Sequence, residues 1–134
     1  MSNARLCLAY DLRTIGYQYA LQIQRRLVEI VSQGLFDVLL LLQHPSCLTI
    51  GRFKGSEDII APQEILAAEG ISILHTDRGG GVTYHGPGQL VGYPIFDLTT
   101  KGKDIHQYVR NLEEVIIRTL DTFSITGHRN PQHP

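Results

Sequence analysis

Cysteine is scarce in this sequence: only Cys7 and Cys47 occur, both in apolar surroundings, without the paired spacing of a CxxC motif or a metal-ligand set. That removes a disulfide framework and a cysteine-built metal centre, and a reduced cytoplasmic setting is the simple expectation. Excess charge is missing as well. A formal net charge of -1 offers no general attraction for nucleic acid or for an anionic membrane. No apolar run approaches the ~20 residues needed to span a bilayer, and the start, Met1-Ser2-Asn3-Ala4-Arg5, lacks the long apolar stretch of a secretion signal. Internal repeats, low-complexity tracts and linkers are absent. What remains is 134 residues, 43% hydrophobic and 19% charged, enough for one globular domain spanning 1–134.

Strands and helices alternate along it. Arg5 to Asp11 reads as a short strand, and Thr14 is a candidate cap for a helix running to about Gln33 and stopping at Gly34. Tyr17, Ala20, Leu21, Leu27, Val28 and Val31 form its apolar stripe. The nearly continuous apolar run Phe36 to Leu42 predicts a strand buried on both faces. Cys47 to Ile50 is a second short strand, and 53–61 a loop. Pro62 suits the first position of a short helix ending at Gly70. Ile71 to His75 and Gln89 to Phe96 read as strands, the latter at an edge or with a bulge because it holds Gly92 and Pro94. Asp104 with Gln107 resembles a capping box for a last helix, whose apolar face holds Ile105, Tyr108, Val109, Leu112, Ile116, Leu120 and Phe123. The residues from 124 to 134 lack periodicity and predict an irregular tail, with His128 and His133 at the surface. The interspersion favours an α/β (α+β) class with a mixed sheet flanked by helices.

Between two of these strands lies Arg78-Gly79-Gly80-Gly81-Val82-Thr83-Tyr84-His85-Gly86-Pro87-Gly88-Gln89. Glycine permits positive φ and close approach to a ligand, and the polar side chains interleaved with it suggest a bound group rather than a bare turn. The segment is not a Walker A loop, since Gly86 is followed by Pro87-Gly88 rather than Lys-Ser/Thr. Nor is it a dinucleotide fingerprint, since Tyr84 stands where the third glycine belongs.

Arg78-Gly79-Gly80, Thr83-Tyr84-His85, Gly88-Gln89 and Tyr93 together resemble the signature of the lipoyl(octanoyl) transferases. His44-Pro45, Gly51-Arg52 and Asp97-Leu98 are similar to the family too, so the resemblance covers essentially the whole chain. It implies the fold of the biotin/lipoate protein ligase catalytic domains. It also implies transfer of an octanoyl group from acyl carrier protein to a lysine on the lipoyl domains of 2-oxoacid dehydrogenases and on the glycine cleavage H protein, with no cofactor and no metal. Arg78, Gly79, Gly80, Gly81, Val82, Thr83, Tyr84 and His85 correspond to its substrate-binding segment. The glycines would form one wall of an apolar slot, and Thr83, Tyr84 and His85 would supply hydrogen bonds. Arg78 would either fix the loop or contact the phosphopantetheine arm of the carrier.

The family's cysteine nucleophile and its lysine belong to Pro-Cys-Gly and Ala-Ser/Ala-Ile/Leu-Gly contexts that occur nowhere here; Lys54, Lys101 and Lys103 have other surroundings. The resemblance therefore places both catalytic residues beyond residue 134, as in a truncated member, with no catalytic residue in the chain. Cys47, three residues from His44, is expected to be a small buried hydrophobe rather than a substitute nucleophile. His44 reads as a structural or pocket-rim residue, His75 with Asp77 as too few ligands for a metal, and Glu113 with Glu114 as solvated. Two other readings stand beside the transferase: a non-catalytic fragment that binds acyl groups or their carrier, and a relative of the ATP-dependent lipoate or biotin ligases.

Overall fold

The computed structural model describes residues 5–53 and 55–130. Lys54, His133 and the rest of the segment Pro131 to Pro134 lie outside the described residues. The chain divides into two compact units, one up to Phe96 and one from Asp97 onward.

The first unit contains two three-stranded mixed sheets. In one, the order is β1 (Cys7–Thr14), β2 (Asp37–Gln43), β6 (Val91–Ile95), with β1 parallel and β6 antiparallel to the central strand. In the other, β3 (Cys47–Ile50) is central, flanked by β4 (Ser72–His75) in parallel and β5 (Val82–His85) antiparallel. The predicted mixed sheet is thus present as two. β6 takes an edge position, as Pro94 required, since proline has no N–H for a second neighbour.

Helix α1 (Tyr17–Val31) packs Ala20 and Val31 onto Val38, Leu40 and Leu42 of β2 and Ile95 of β6, which together form the core. Alternate residues of β2 face this core, and Leu39 and Leu41 on the opposite face are half-buried, so the strand is covered on both sides as its apolar run implied. Arg5 ties the strand start to the helix end: its guanidinium donates to the Val31 and Phe36 carbonyls at 2.8 and 3.0 Å and lies 3.1 Å from the buried Asp37 carboxylate.

Two predicted helix starts shift. Thr14 does not cap α1; it is the last residue of β1, which continues through an irregularity after Asp11 that puts Arg13 at φ 58°. Gly16 occupies the cap position without a side-chain bond, because the strand absorbs Thr14. Pro62 sits one position before the first residue of α2 (Gln63–Ala68) rather than within it. Gly34 and Gly70 adopt the left-handed conformation expected after α1 and α2.

The second unit is built around α3 (Ile105–Asp121). Asp104 caps it, its carboxylate accepting from the Gln107 N–H at 2.9 Å. Among the described residues the reciprocal half of a capping box, the Asp104 N–H donating to Gln107 Oε1, is not made; the Gln107 amide nitrogen donates to Asn111. The irregular tail is pinned to this helix: Arg129 pairs with Glu113 at 3.1 Å and Glu114 at 2.6 Å, and Gly127 lies close to Ile117 and Leu120. Arg118 also bonds Glu114, and these two arginines, Arg118 first, hold the Glu114 carboxyl below the usual range. Among the described residues no helix is long and apolar enough to cross a membrane.

Candidate functional site

The glycine-rich segment is not one loop. Residues 76–81 carry the chain from β4 across the end of β3 to β5 on its other side, and Val82–His85 is a strand. Sequence reading missed β5 because its four residues are bracketed by glycines, and its pairing partner β3 is some thirty residues away. The crossing folds the glycines back onto β3. Gly51 N–H donates to the Gly81 carbonyl at 3.1 Å and Arg52 N–H to the Arg78 carbonyl at 3.0 Å. A Cβ on Gly51 would collide with the Gly80 carbonyl, and Gly80 itself has φ +81°, so both positions call for glycine.

Arg78 is the staple of this loop. Its Nη2 donates to the Thr49 carbonyl, Thr49 Oγ1 and the Gly81 carbonyl at 2.8, 2.8 and 2.9 Å, while Nη1 donates to the Gly79 carbonyl at 2.9 Å. Its guanidinium thus performs the first of the two roles expected of it, fixing the loop. Thr49 is fully buried and could not be recognised beforehand as the arginine's partner. The carbonyls of Arg78, Gly79 and Gly81 are all engaged inward. No acceptor among the described residues reaches the N–H groups of Gly79 and Gly80.

β5 leads from the loop to an aromatic cluster. His85 stacks on Tyr17 with ring centroids 5.7 Å apart and meets the edge of His44 at 5.4 Å, and Tyr17 and Tyr93 flank His44 at 5.1 and 6.0 Å. His44 is fully buried, which agrees with a structural reading. Its Nδ1 lies 2.8 Å from the Ile15 carbonyl and its Nε2 2.9 Å from the Tyr93 hydroxyl. A carbonyl only accepts, so Nδ1 carries the proton, and Nε2 accepts from Tyr93. Burial lowers the His44 pKa, assisted by His85, against the favourable Ile15 bond. Burial likewise pushes Tyr93 up to about 12 and raises Tyr17, so a neutral histidine faces hydroxyls that keep their protons.

Of the predicted substrate segment, Arg78 bonds both Thr49 and the Gly81 carbonyl, and the exposed Thr83 lies opposite Thr49 in the β3–β5 register. Tyr84 reaches Ser46 Oγ at 3.1 Å, and His85 joins the cluster. Val82 is half-buried. A cavity of about 350 Å³ opens beside this arrangement, lined among others by Gly16, Tyr17, Pro45, Ser46, Cys47 and Leu74. It falls in the lower range of small-ligand pockets. None of its described lining residues belongs to 78–85; Tyr17 connects the two, since it lines the cavity and stacks on His85. In the sequence Tyr17 is part of the apolar stripe of α1, and its place as first residue of that helix carries no signal of a second role.

Cys47 is buried, and burial raises its thiol pKa, opposite to what a nucleophile needs. Cys7 is exposed but lies on β1, in the sheet that does not carry the loop. No group of three metal-ligating residues occurs among the described residues.

Residues 16–133 match the lipoyl protein ligase A/B catalytic domain. The chain belongs to this family. Relatives include an octanoyltransferase of Roseiflexus sp. (strain RS-1), 46% identical over 91% of this chain and 51% of that protein. An octanoyltransferase of Chloroflexus aggregans is 48% identical over 93% of this chain and 57% of that protein, and one of Caldicellulosiruptor saccharolyticus is 50% identical over 89% and 52%. The chain spans about half the length of these curated relatives. Among solved structures, a lipoate-protein ligase A bound with ATP superposes with a TM-score of 0.69, over 94% of this chain and 51% of that one, at 20% identity. A structure of the Thermoplasma acidophilum lipoylation system, described as a bi-partite lipoate protein ligase and its E2 lipoyl domain, gives 0.66 over 98% and 49%, at 21% identity. These likenesses establish the lipoyl protein ligase A/B fold, as the signature implied.

Proposed function

We propose that this chain forms the acyl-binding part of an octanoyltransferase, holding an octanoyl thioester for transfer to a lysine amine. The observation that carries the reading is the polarity of the stapled loop. Arg78 and β3 take up its carbonyls, leaving the N–H groups of Gly79 and Gly80 as donors for a thioester carbonyl, with an aromatic cluster and an apolar-lined cavity at the other end of β5. Rigid donors aimed at a carbonyl oxygen are what acyl transfer demands, because negative charge develops on that oxygen in the transition state. The substrate segment is Arg78 to His85, with Arg78 acting through the loop. The relatives' names give octanoyl transfer and, for the bi-partite ligase, an E2 lipoyl domain; on this reading the donor is octanoyl-acyl carrier protein and the acceptors are lipoyl domains of 2-oxoacid dehydrogenases and the glycine cleavage H protein, in a cytoplasmic setting.

Titration of the chain with S-octanoylpantetheine, followed by amide chemical shifts, tests the reading. The expected result is perturbation centred on Gly79 to His85; shifts confined to α3, or none at millimolar probe, would overturn it. The placement of Cys47 and Cys7 leaves neither suited to form the acyl thioester, so octanoyl transfer by the chain alone is expected to be absent. Transfer that vanishes in Cys47→Ser would show this assignment of the cysteines to be wrong. Dependence of any transfer on ATP would favour the ligase reading.

A further inference from the structure

Gln89 grips His85 by one ring nitrogen only. Its Oε1 lies 2.7 Å from His85 Nδ1, and its Nε2 donates to the Tyr84 carbonyl at 3.3 Å. The second bond decides which end of the amide faces the ring: a carbonyl accepts only from a donor, so the amide nitrogen turns to Tyr84 and the amide oxygen to His85. An amide oxygen cannot donate, so Nδ1 carries the proton and, in the neutral ring, Nε2 is bare. Stacking on Tyr17 and the edge of His44 hold the ring in its plane. Gln89 is itself placed by a tight turn, its N–H donating to the Gly86 carbonyl at 3.2 Å while the Gly88 N–H donates to Gln43 Oε1 at 2.8 Å. His85 is half-buried, and no partner for its Nε2 occurs among the described residues.

The geometry points to Gln89 as a positioning residue that holds His85 in the Nδ1–H tautomer, so that Nε2 is the hydrogen-bond acceptor offered to an N–H of the acyl-accepting amine. This rests on the acyl-transfer reading and deepens it. A thioester carbonyl needs donors, which Gly79 and Gly80 provide; an incoming amine, and the amide it becomes, brings an N–H that needs an acceptor. Loop and cluster, at the two ends of β5, then have opposite polarity, as the carbonyl and the N–H of an amide do. The titratable groups facing His85 are Tyr17 on α1 and His44 after β2, and a His44 kept neutral by burial does not compete for the proton.

Two measurements on the chain test it. Imidazole nitrogen spectra should place the His85 proton on Nδ1, with Gln89→Leu populating the other tautomer. Gln89→Glu keeps an acceptor beside Nδ1, so the neutral His85 ring should stay in the Nδ1–H tautomer in that variant. A purely structural Gln89 would not alter the tautomer in Gln89→Leu and preserve it in Gln89→Glu. Binding is then compared for N-butyloctanamide and N-butyl-N-methyloctanamide, which share a carbonyl but differ in the N–H. The secondary amide should bind about tenfold more tightly, the worth of one hydrogen bond, and lose that advantage in Gln89→Leu and His85→Phe. A His85 proton on Nε2 in the unmodified chain overturns the positioning role. Equal binding of the two amides overturns the acceptor role while leaving the acyl reading intact. Failure of both to bind overturns both, and the nitrogen spectra still decide whether Gln89 sets the tautomer.

Discussion

Arg78 and His44 are the residues through which single side chains decide the most. Arg78→Ala removes the guanidinium bonds to Thr49, Gly79 and Gly81 and leaves the buried Thr49 without that donor. The expected loss of stability is about 2 kcal/mol, read from urea denaturation. Arg78→Lys should recover only part of it, since an ammonium cannot reproduce the planar fork that meets several acceptors together. His44 sets a pH dependence. Its folded pKa lies below the ordinary 6.5 because burial disfavours the charged ring. Below that value the unfolded chain binds more protons than the folded one, so stability falls as pH drops from neutral and rises again with pH. Of the titratable groups around it, Tyr17 and Tyr93 keep their protons throughout this window, and His85 is the other imidazole in contact with it. The urea midpoint should therefore decrease between pH 7.5 and 5.5, and His44→Gln should flatten that part of the profile. Both residues stood out in the sequence as polar signatures. That one is a staple and the other a buried neutral link could not be read there, because Thr49, Ile15 and Tyr93 reach them only through the fold.

The close passage of the 76–81 crossing over β3 is a property of elements rather than of any one side chain. Gly51→Ala places a methyl group against the Gly80 carbonyl. Backbone cannot swing aside as a flexible side chain can, so the loop must lift from β3. A cost of about 1–3 kcal/mol follows, and the amide signals of Gly79 to Gly81 should shift more than those of β2. The central strand was legible because Val38 to Leu42 is apolar throughout, and the helices because their punctuation is glycine, proline and aspartate. β5 and the first turn of α1 were not. A four-residue strand owes its conformation to ladder bonds with β3, and Thr14 follows β1 rather than capping because pairing with Gln43 extends that strand.

Stability is distributed unevenly across the molecule. The core of Ala20, Val31, Val38, Leu40, Leu42 and Ile95 belongs wholly to the unit ending at Phe96. In the other unit none of the residues of α3 is buried, and Ile105, Val115 and Ile116 are exposed. Helices with little buried area owe their stability mainly to local terms, here the Asp104 cap and the Glu114–Arg118 and Arg129 pairs. Native-state hydrogen exchange should find α3 amides opening locally and exchanging well before those of β2. Equal protection in the two would contradict this.

By itself the sequence determined the family, because the signature from Arg78 to Tyr93 depends on residue identity and order, and those survive without coordinates. Tertiary structure alone decided what each of these residues does. It turned Arg78 inward, split the glycine segment into a crossing, a strand and a turn, and brought Tyr17, His44, His85 and Tyr93 within stacking distance from four separate parts of the chain. The physical reason is that a hydrogen bond or a ring contact depends on where the partner lies in space, and long-range pairing of β3 with β5 and of β2 with β6 sets that position.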